Sequence, residues 1–357
     1  MNIEPKLRCG VIGVGRMGRH HARVYSQLPG AELVGVVDVN PQSCQTIVEQ
    51  WGGQAFETVD QLLDAGVDAV TIATPTIHHR IAAEKLLAAK VACLIEKPLA
   101  PDVAQSRALA DAAARSQAIL QVGHIVRFDP VMRAIMRVGH LQPRFIEVDR
   151  ISPMTFRSVD VGVVLDMMIH DLDVLLMLIG AEPDEVQASA VSVLGEAEDV
   201  CNARLTFRLG SPALRAGAPV SERRGAWDCV ANLTASRLAL KTERKIRIIC
   251  EDSYISADFV ARSGTVVRKT ANDGQLAQLR ARLKAGEDLS DVDYRSLVQS
   301  EPLQVDAGEP LKLQIEDFLD AVRSGRQPSV DAQAGFAAVR TAERIVQAAR
   351  QAGARMV

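Results

Sequence analysis

Two ionisable residues midway along this sequence have the chemistry needed for proton transfer. Asp166 and His170 stand at i and i+4 of the apolar segment 162–180, and Asp173 follows at i+7, so a helix places all three on one face. Ionisable groups on so apolar a helix are costly unless they are paired or used. Because histidine is the natural proton carrier near neutral pH, we predict His170 as an acid–base group. A structural Asp–His pair is the alternative, and Asp173 is expected to make a structural hydrogen bond.

A glycine-rich turn near the N-terminus is typical of dinucleotide binding. Gly13, Gly15 and Gly18 fit G-x-G-x-x-G between the strand-like run CGVIGV and a helical segment. The first glycine permits the tight turn, the second lets a pyrophosphate approach the backbone, and the third lets helix and strand pack closely. The helix N-terminus then attracts the phosphates. Arg16 and Met17, inside the turn, complete this predicted binding segment.

Asp38 indicates which dinucleotide binds. It ends the second predicted strand, 20 residues after Gly18. Its carboxylate can accept hydrogen bonds from both ribose hydroxyls and would repel a 2′-phosphate, which predicts NAD rather than NADP. Arg16 and Asn40 nearby leave tolerance of NADP open. A glycine-rich turn without a ligand is the alternative.

Lys97 is a second candidate for chemistry. It lies at the carboxyl end of a predicted parallel strand, where ligands bind in open α/β sheets. A cation there can stabilise a developing alkoxide or donate to a carbonyl oxygen. Glu96 before it can bridge the cofactor ribose and the backbone, or pair with a lysine. A solvated lysine at a strand end is the alternative for Lys97.

The elements that must position these residues fall into two groups. Up to Gly123, nearly continuous apolar runs alternate with helical segments, which predicts an α/β doubly wound parallel sheet of the Rossmann type. The predicted strands are 9–14, 32–39, 68–74, 92–97 and 118–123, and the predicted helices are 16–28, 42–51, 77–89 and 102–116.

After Gly123, consecutive strand-like runs predict a second α/β domain with a large open, mixed or antiparallel sheet and helices on one face. Its predicted strands are 144–151, 185–194, 200–209, 227–237, 244–251 and 254–260, and its predicted helices are 129–139, 162–180, 310–324 and 332–353. We therefore predict an NAD-binding domain over 1–123 and a substrate-binding and oligomerisation domain over 124–357, whose C-terminal helix can pack back on the first. Residues 210–226 are predicted as a surface loop and 271–295 as a polar, mobile excursion.

Composition narrows the class of protein. The 357 residues carry 41 basic and 44 acidic side chains and only 4% aromatics, which disfavours nucleic-acid binding. The six cysteines are scattered without a CxxC pair, and the histidines lack a metal-ligand spacing, so we expect reduced cysteines, a cytoplasmic location and no metal. No apolar stretch is long enough to span a bilayer, so no membrane partner is expected.

The sequence resembles the glucose–fructose oxidoreductase/inositol dehydrogenase (Gfo/Idh/MocA) family along essentially its whole length. The resemblance rests on GVGRMGRHH at 13–21, ATPTIHH at 73–79, EKPLA at 96–100, GHIVRFDP at 123–130 and DMMIHDLD at 166–173. The family implies a Rossmann domain, a second domain whose open sheet covers the nicotinamide, and oxidation or reduction of sugar and cyclitol carbinols with NAD(P). It also implies that Asp166 and His170 are catalytic together with Lys97, His170 being the base for alcohol oxidation. Thr74, Pro75 and His78 then lie beneath the dinucleotide, and Glu96 and Lys97 beside it.

Some segments resemble a nucleotide-sugar branch that includes UDP-N-acetylglucosamine 3-dehydrogenases. They are 123–130, 160–173, 231–237 and 309–325, although Val126 and Asp129 depart from the branch pattern. Arginine forks suit the diphosphate of such a substrate. The predicted substrate-binding residues are His124, Arg127, Ser152, Arg157, Asn232 and Arg237. Arg150 is equally compatible with a phosphate contact and with a structural ion pair.

Other functions stay open at this point. They are oxidation of a free sugar or cyclitol, glycoside hydrolysis through bound NAD, and a non-catalytic NAD-dependent sensor. Retention of Lys97, Asp166 and His170 together argues against the sensor. Alternating apolar residues at 190–194 and 229–235 predict a sheet face that needs a cover, and hence a homodimer or homotetramer assembled sheet to sheet.

Overall fold

The computed structural model describes residues 5–139, 141–155, 161–209, 228–290 and 292–354. The strands are β1 Leu7–Ile12, β2 Ala31–Val37, β3 Gln54–Phe56, β4 Ala69–Ile72, β5 Ala92–Ile95, β6 Leu120–Val122, β7 Pro143–Ile151, β8 Glu185–Val191, β9 Val200–Arg208, β10 Asp228–Ser236, β11 Glu243–Cys250, β12 Ser253–Asp258, β13 Ser263–Lys269 and β14 Val298–Pro302. The helices are α1 Gly18–Gln27, α2 Pro41–Trp51, α3 Val59–Asp64, α4 His79–Ala88, α5 Val103–Ser116, α6 Pro130–Arg137, α7 Ile169–Ile179, α8 Asp273–Lys284, α9 Pro310–Ser324 and α10 Ala332–Gln351.

The first sheet is the predicted doubly wound parallel sheet. Its order is β3-β2-β1-β4-β5-β6, and every pair is parallel. The strands are almost wholly apolar because both of their faces are covered. One face packs on Tyr25 of α1 and Phe318 of α9, and the other packs on Leu86 of α4 and Leu109 of α5. The carboxyl ends of β1, β2, β4 and β5 therefore share one edge, which carries the glycine turn, Asp38, Thr74 and Lys97.

The second sheet is mixed, as predicted. Its order is β14-β13-β12-β11-β7-β10-β9-β8, and β7 and β10 pair in parallel whereas their other neighbours are antiparallel. Side chains alternate strictly along β10, so Ala231 and Leu233 face the helices while Asn232 and Thr234 face away. The helix-facing side packs on α6, α7 and α10. The apolar residues predicted at 229–235 to form an exposed face are thus the buried ones, and that part of the prediction is wrong.

Helix α9 packs on the first sheet, and helix α10 connects the two layers. Ile315 and Phe318 of α9 pack into the core of the first sheet. Val339 of α10 packs with the first sheet as well, whereas Ile345, further along α10, packs with the second. The C-terminal helix therefore contacts both sheets, as the sequence allowed.

Several local predictions differ from the structure. The polar segment 271–295 contains helix α8, whose first turn is closed by a reciprocal capping box between Asn272 and Gln275. The predicted helix 162–180 begins instead with a π-helical turn, Val164–Met168, before α7. The predicted loop 210–226 lies outside the described residues. Within the described ranges, no helix is both long enough and apolar enough to cross a bilayer.

Candidate active site

The glycine turn has the shape that a pyrophosphate requires. Gly13 has φ +83°, and a Cβ there would lie 2.7 Å from the backbone N of Thr74. A Cβ on Gly18 would lie 1.7 Å from the carbonyl oxygen of Gly13, whereas one on Gly15 would meet nothing within 4 Å. The first and third glycines are thus fixed by close packing and the second faces open space. Arg16 is exposed beside it, and Met17 is half-buried at the start of α1.

Asp38 completes this cofactor-binding edge. Its Oδ2 accepts a hydrogen bond from the backbone N–H of Val14 at 2.7 Å, and its Oδ1 accepts one from Asn40 at 2.9 Å. These bonds fix the carboxylate beside the glycine turn, and each oxygen keeps a lone pair for a ribose hydroxyl. The residues present therefore fit an NAD ribose at this point.

Thr74 and His79 follow β4 and shape the carboxyl edge of the first sheet below the glycine turn. The buried Thr74 Oγ1 has no hydrogen-bond partner among the described residues, which suits a polar ligand. Pro75 and His78 are exposed after it. His79 is the residue that connects this segment: Nε2 lies 2.9 Å from the Thr74 carbonyl oxygen and Nδ1 lies 3.1 Å from that of Pro98. The sequence left the role of His79 undetermined.

Lys97 connects the two domains through Asp166. Its Nζ donates to the backbone carbonyl of Asp166 at 2.6 Å and lies 3.2 Å from Oδ1 of the same residue. The Lys97–Pro98 peptide is cis. Asp166 belongs to the π-helical turn, and His170 follows at the start of α7. The three predicted catalytic residues therefore converge where the first sheet meets the second domain.

The surroundings of His170 keep its ring neutral. Burial first, and then the positive charges of Lys97 and Arg150, lower the pKa of His170 well below its ordinary 6.5. Its Nδ1 is buried without a partner among the described residues, which leaves Nε2 as the nitrogen that can meet a substrate. A neutral imidazole beside an ammonium group can accept the proton of an alcohol at neutral pH.

His124 is buried beside His170 and does not face solvent. The two rings meet edge to face, with centroids 6.2 Å apart and an interplanar angle of 87°. His124 is 0% exposed, and neither ring nitrogen has a partner among the described residues. Burial lowers the pKa of His124 too. This placement corrects the predicted substrate contact, because a fully enclosed ring supports the base by packing.

The predicted substrate arginines are engaged in ion pairs. Arg127 donates to both carboxylate oxygens of Asp173, at 2.7 and 2.6 Å, in a buried contact that orients α7. Arg237 donates to Asp199 at 2.7 Å and to the Val161 carbonyl at 2.8 Å. Both guanidinium groups hold protein segments together here, which corrects the prediction that they face a diphosphate. Arg157 lies outside the described residues.

The remaining two predicted substrate-binding residues, Ser152 and Asn232, lie on opposite faces of the second sheet. The Ser152 Oγ is 3.8 Å from the sulfur of Met167 in the π-helical turn, so it lies beside Asp166. Asn232 instead accepts a hydrogen bond from Arg204 at 3.0 Å on the face away from α7. The two-residue period of β10 puts Asn232 on the wrong face for contact with His170.

A buried chain of polar side chains, not predicted from the sequence, supports Glu96. Glu96 Oε1 lies 2.9 Å from His21 Nε2, His21 Nδ1 lies 3.2 Å from Thr71 Oγ1, and that oxygen lies 2.8 Å from the Tyr25 hydroxyl. Burial alone would raise the pKa of Glu96, but the bond and charge of His21 and the charge of Lys97 outweigh it and lower the pKa. The chain connects helix α1, which begins at the glycine turn, to the residue before Lys97.

The fold and site define a class: a nicotinamide-dependent oxidoreductase with a Rossmann domain and a second α/β domain that supplies an Asp–His pair. The chain belongs to the Gfo/Idh/MocA oxidoreductase family. Residues 7–124 match the model of the oxidoreductase family with an NAD-binding Rossmann fold, and residues 135–256 match the GFO/IDH/MocA C-terminal domain. The predictions of the family, the oxidoreductase class and NAD as cofactor are confirmed.

Individual relatives place the chain within this family. It is 34% identical over 329 residues to the UDP-N-acetylglucosamine 3-dehydrogenase of Acidithiobacillus ferrooxidans, covering 92% of this chain and 93% of that protein. A crystal form of that enzyme has a TM-score of 0.81 and covers 97% of this chain and 98% of its own. The inositol 2-dehydrogenase of Rhizobium meliloti is 33% identical over 54% of this chain and 60% of its own length.

Proposed function

We propose that this enzyme oxidises the C3 hydroxyl of UDP-N-acetylglucosamine, or of a closely related nucleotide sugar, to a ketone with NAD. The observation that carries the proposal is the similarity to the UDP-N-acetylglucosamine 3-dehydrogenase, which extends over 92% of this chain and so includes the second domain. Substrate contacts in a two-domain dehydrogenase come largely from the domain that does not bind the dinucleotide. Similarity there supports the substrate as well as the cofactor.

The residues divide the chemistry between the two domains. Neutral His170 accepts the proton of the C3 hydroxyl, and the Lys97 ammonium stabilises the developing alkoxide. Asp166 holds Lys97 in place through its backbone carbonyl and carboxylate. Bound NAD supplies the hydride acceptor. The glycine turn, Asp38 and Thr74 would hold it with the nicotinamide near Lys97.

Oxidation of a free cyclitol is the second candidate, supported by the 33% identity to inositol 2-dehydrogenase over about half of the chain. Absorbance of NADH with UDP-N-acetylglucosamine, N-acetylglucosamine and myo-inositol separates the two. Mass spectrometry of the product should show loss of two hydrogens from the UDP-sugar. Lys97→Ala is the negative control, and Lys85→Ala is the matched surface-lysine control. Turnover of myo-inositol but not of any UDP-sugar would establish the second candidate instead.

We also propose a homodimer or homotetramer that uses the second sheet. The exposed apolar side chains of Val191, Val193 and Leu194, where β8 ends, support this proposal because such a cluster favours a partner surface. Light scattering at micromolar concentration tests it. A monomer for the unmodified protein would overturn it, and the Val193→Ser, Leu194→Ser double variant should weaken the assembly.

A cytoplasmic location is proposed as well. All six cysteines are free and buried, which supports folding in a reducing compartment. Cell fractionation of the source organism, followed by immunodetection, tests the location directly.

A further inference from the structure

Arg244, which takes no part in the candidate active site, has an unusual environment in the second sheet. It lies on β11 directly opposite Arg150 of β7, with its side chain on the helix-facing side. Its guanidinium carbon lies 5.2 Å from the centroid of the Phe259 ring. Nε and Nη2 are buried, and neither has a hydrogen-bond partner among the described residues.

Asp171 and Asp129 are the carboxylates whose charges act on Arg244, and among the described residues neither accepts a hydrogen bond from it. Asp171 receives both hydrogen bonds of the Arg150 fork, at 2.6 and 2.5 Å. Asp129 Oδ1 accepts a hydrogen bond from the backbone N–H of Val131 at 2.9 Å. Among the described residues, Nε and Nη2 of Arg244 are therefore left without a hydrogen-bond acceptor, although the negative charges of Asp171 and Asp129 act on the guanidinium. Burial first, and the charge of Arg150 second, lower the pKa of its guanidinium to about 10.

A buried guanidinium without a partner is costly, since it loses hydration and gains no hydrogen bond in return. Proteins retain such groups where an anion completes them. The fork of an arginine matches phosphate oxygens bidentately, which a point charge on lysine does not. The guanidinium lies over the ring of Phe259, which supplies a cation–π contact.

Arg244 is the second residue of the interior strand β11 and lies beside the C-terminal end of β7. Its partner residue Arg150 precedes Ser152 by two positions, and Ser152 contacts Met167 beside Asp166. Asp171, held by Arg150, is the next residue after His170. The positive charge of Arg244 contributes to the lowered pKa of His170, which reflects the same proximity. An anion bound at Arg244 would thus be joined to a sugar lying against His170.

We propose that Arg244 binds the diphosphate of the nucleotide-sugar substrate, an inference that rests on the proposed function. The site is separate from the glycine turn, which lies on the other domain and holds the diphosphate of NAD. Arg244 therefore selects sugars that carry a nucleoside diphosphate over free sugars. Arg127 and Arg237, by contrast, are committed to Asp173 and Asp199.

Arg244→Met and Arg244→Lys test this assignment. We expect KM for UDP-N-acetylglucosamine, and Kd for UDP measured by calorimetry, to rise roughly 10- to 100-fold in Arg244→Met. Arg244→Lys should lie between it and wild type, because charge is kept and the fork is lost. Kd for NAD should stay unchanged. Arg268→Met, an exposed arginine of β13 paired with Glu301, is the matched control and should behave as wild type.

The outcomes separate this inference from the proposed function. If wild type oxidises no UDP-sugar, the proposed function fails. If wild type oxidises one, and both Arg244 variants keep its KM and the Kd for UDP, the assignment of Arg244 is overturned. Should Arg244→Met fail to fold, as judged by thermal unfolding and NAD binding, Arg244→Lys decides alone. An equal loss of NAD and UDP binding in a folded variant would also overturn the assignment, because a diphosphate subsite for the sugar predicts a selective loss.

Discussion

At the scale of single residues, the proposed chemistry depends on Lys97 and His170, which approach from different domains. Each single variant, Lys97→Ala and His170→Ala, should lose turnover by about 10²- to 10⁴-fold because a proton-transfer or charge-stabilising group is gone. If both serve one relay, the double variant should lose less than the product of the two. Steady-state kinetics measures these losses, and fluorescence titration should show NAD binding retained. Turnover of His170→Ala near the wild-type value would remove His170 as the base.

Asp38 carries a separate prediction about the cofactor. Asp38→Ala should weaken NAD binding and reduce discrimination against NADP, since the carboxylate that accepts the ribose hydroxyls and repels a 2′-phosphate is removed. Its hydrogen bond to the Val14 N–H is lost as well. Titration of both dinucleotides against wild type and variant is the measurement. A wild type that prefers NADP would contradict the assignment.

The sequence revealed the role of a residue only where that role depends on neighbouring residues in the chain. The glycine turn was readable because its three glycines act through backbone geometry within one turn. The fate of Arg127 and Arg237 was not, because their partners Asp173 and Asp199 lie 46 and 38 residues away. The sequence around an arginine does not indicate whether a distant carboxylate will pair with it in the fold. Arg244 was missed for the converse reason, since its lack of a partner exists only in the folded sheet.

At the scale of elements, the turn into α1 gives a paired test. Gly18→Ala should destabilise the fold by about 1–3 kcal/mol or more, because the new Cβ would overlap the Gly13 carbonyl. Gly15→Ala should leave the melting temperature near wild type but weaken NAD binding by about tenfold or more, because its methyl group would fill the approach of the pyrophosphate. Thermal unfolding and NAD titration measure the two effects. Equal behaviour of the two variants would contradict this division of roles.

Strand and helix types were mostly predictable, whereas pairing and edges were not. Long apolar or alternating runs identified the central strands of both sheets. The edge strand β14 and its neighbour β13 were missed because their mostly exposed side chains lack an apolar period. The parallel pairing of β7 with β10 joins segments more than 80 residues apart in register, Phe145 opposite Val230, and no local pattern encodes it. The π-helical turn that carries Asp166 has the same composition as an ordinary helix start.

At the scale of the whole molecule, His124 and His170 connect stability to pH. Burial lowers both pKa values below 6.5, so the unfolded chain binds more protons than the folded chain between 6.5 and the folded values. The free energy of unfolding should therefore fall as pH drops below 6.5 and level off below the folded values. Melting temperatures from pH 7.5 to pH 5, in buffers of equal ionic strength, measure this; the window is set around the ordinary histidine value of about 6.5.

Two histidine variants serve as the comparison. His124→Asn should flatten the acid dependence, because one of the buried neutral rings is removed. The exposed His78→Asn should keep it. Parallel curves for wild type and His124→Asn would show that His124 does not contribute.

Because all six cysteines are buried, their reaction with an alkylating reagent reports unfolding of the segments that enclose them. Cys9 and Cys93 belong to strands of the first sheet and Cys44 to helix α2 beside it, whereas Cys201, Cys229 and Cys250 belong to β9, β10 and β11 of the second sheet. Burial raises the pKa of every one of these thiols, so none reacts readily with an alkylating reagent in the folded state. Peptide mapping after timed alkylation would then show when the cysteines of each sheet become exposed. Because α10 packs on both layers, we expect the two sets of thiols to become labelled together, and a clear lag between them would show that the layers open independently.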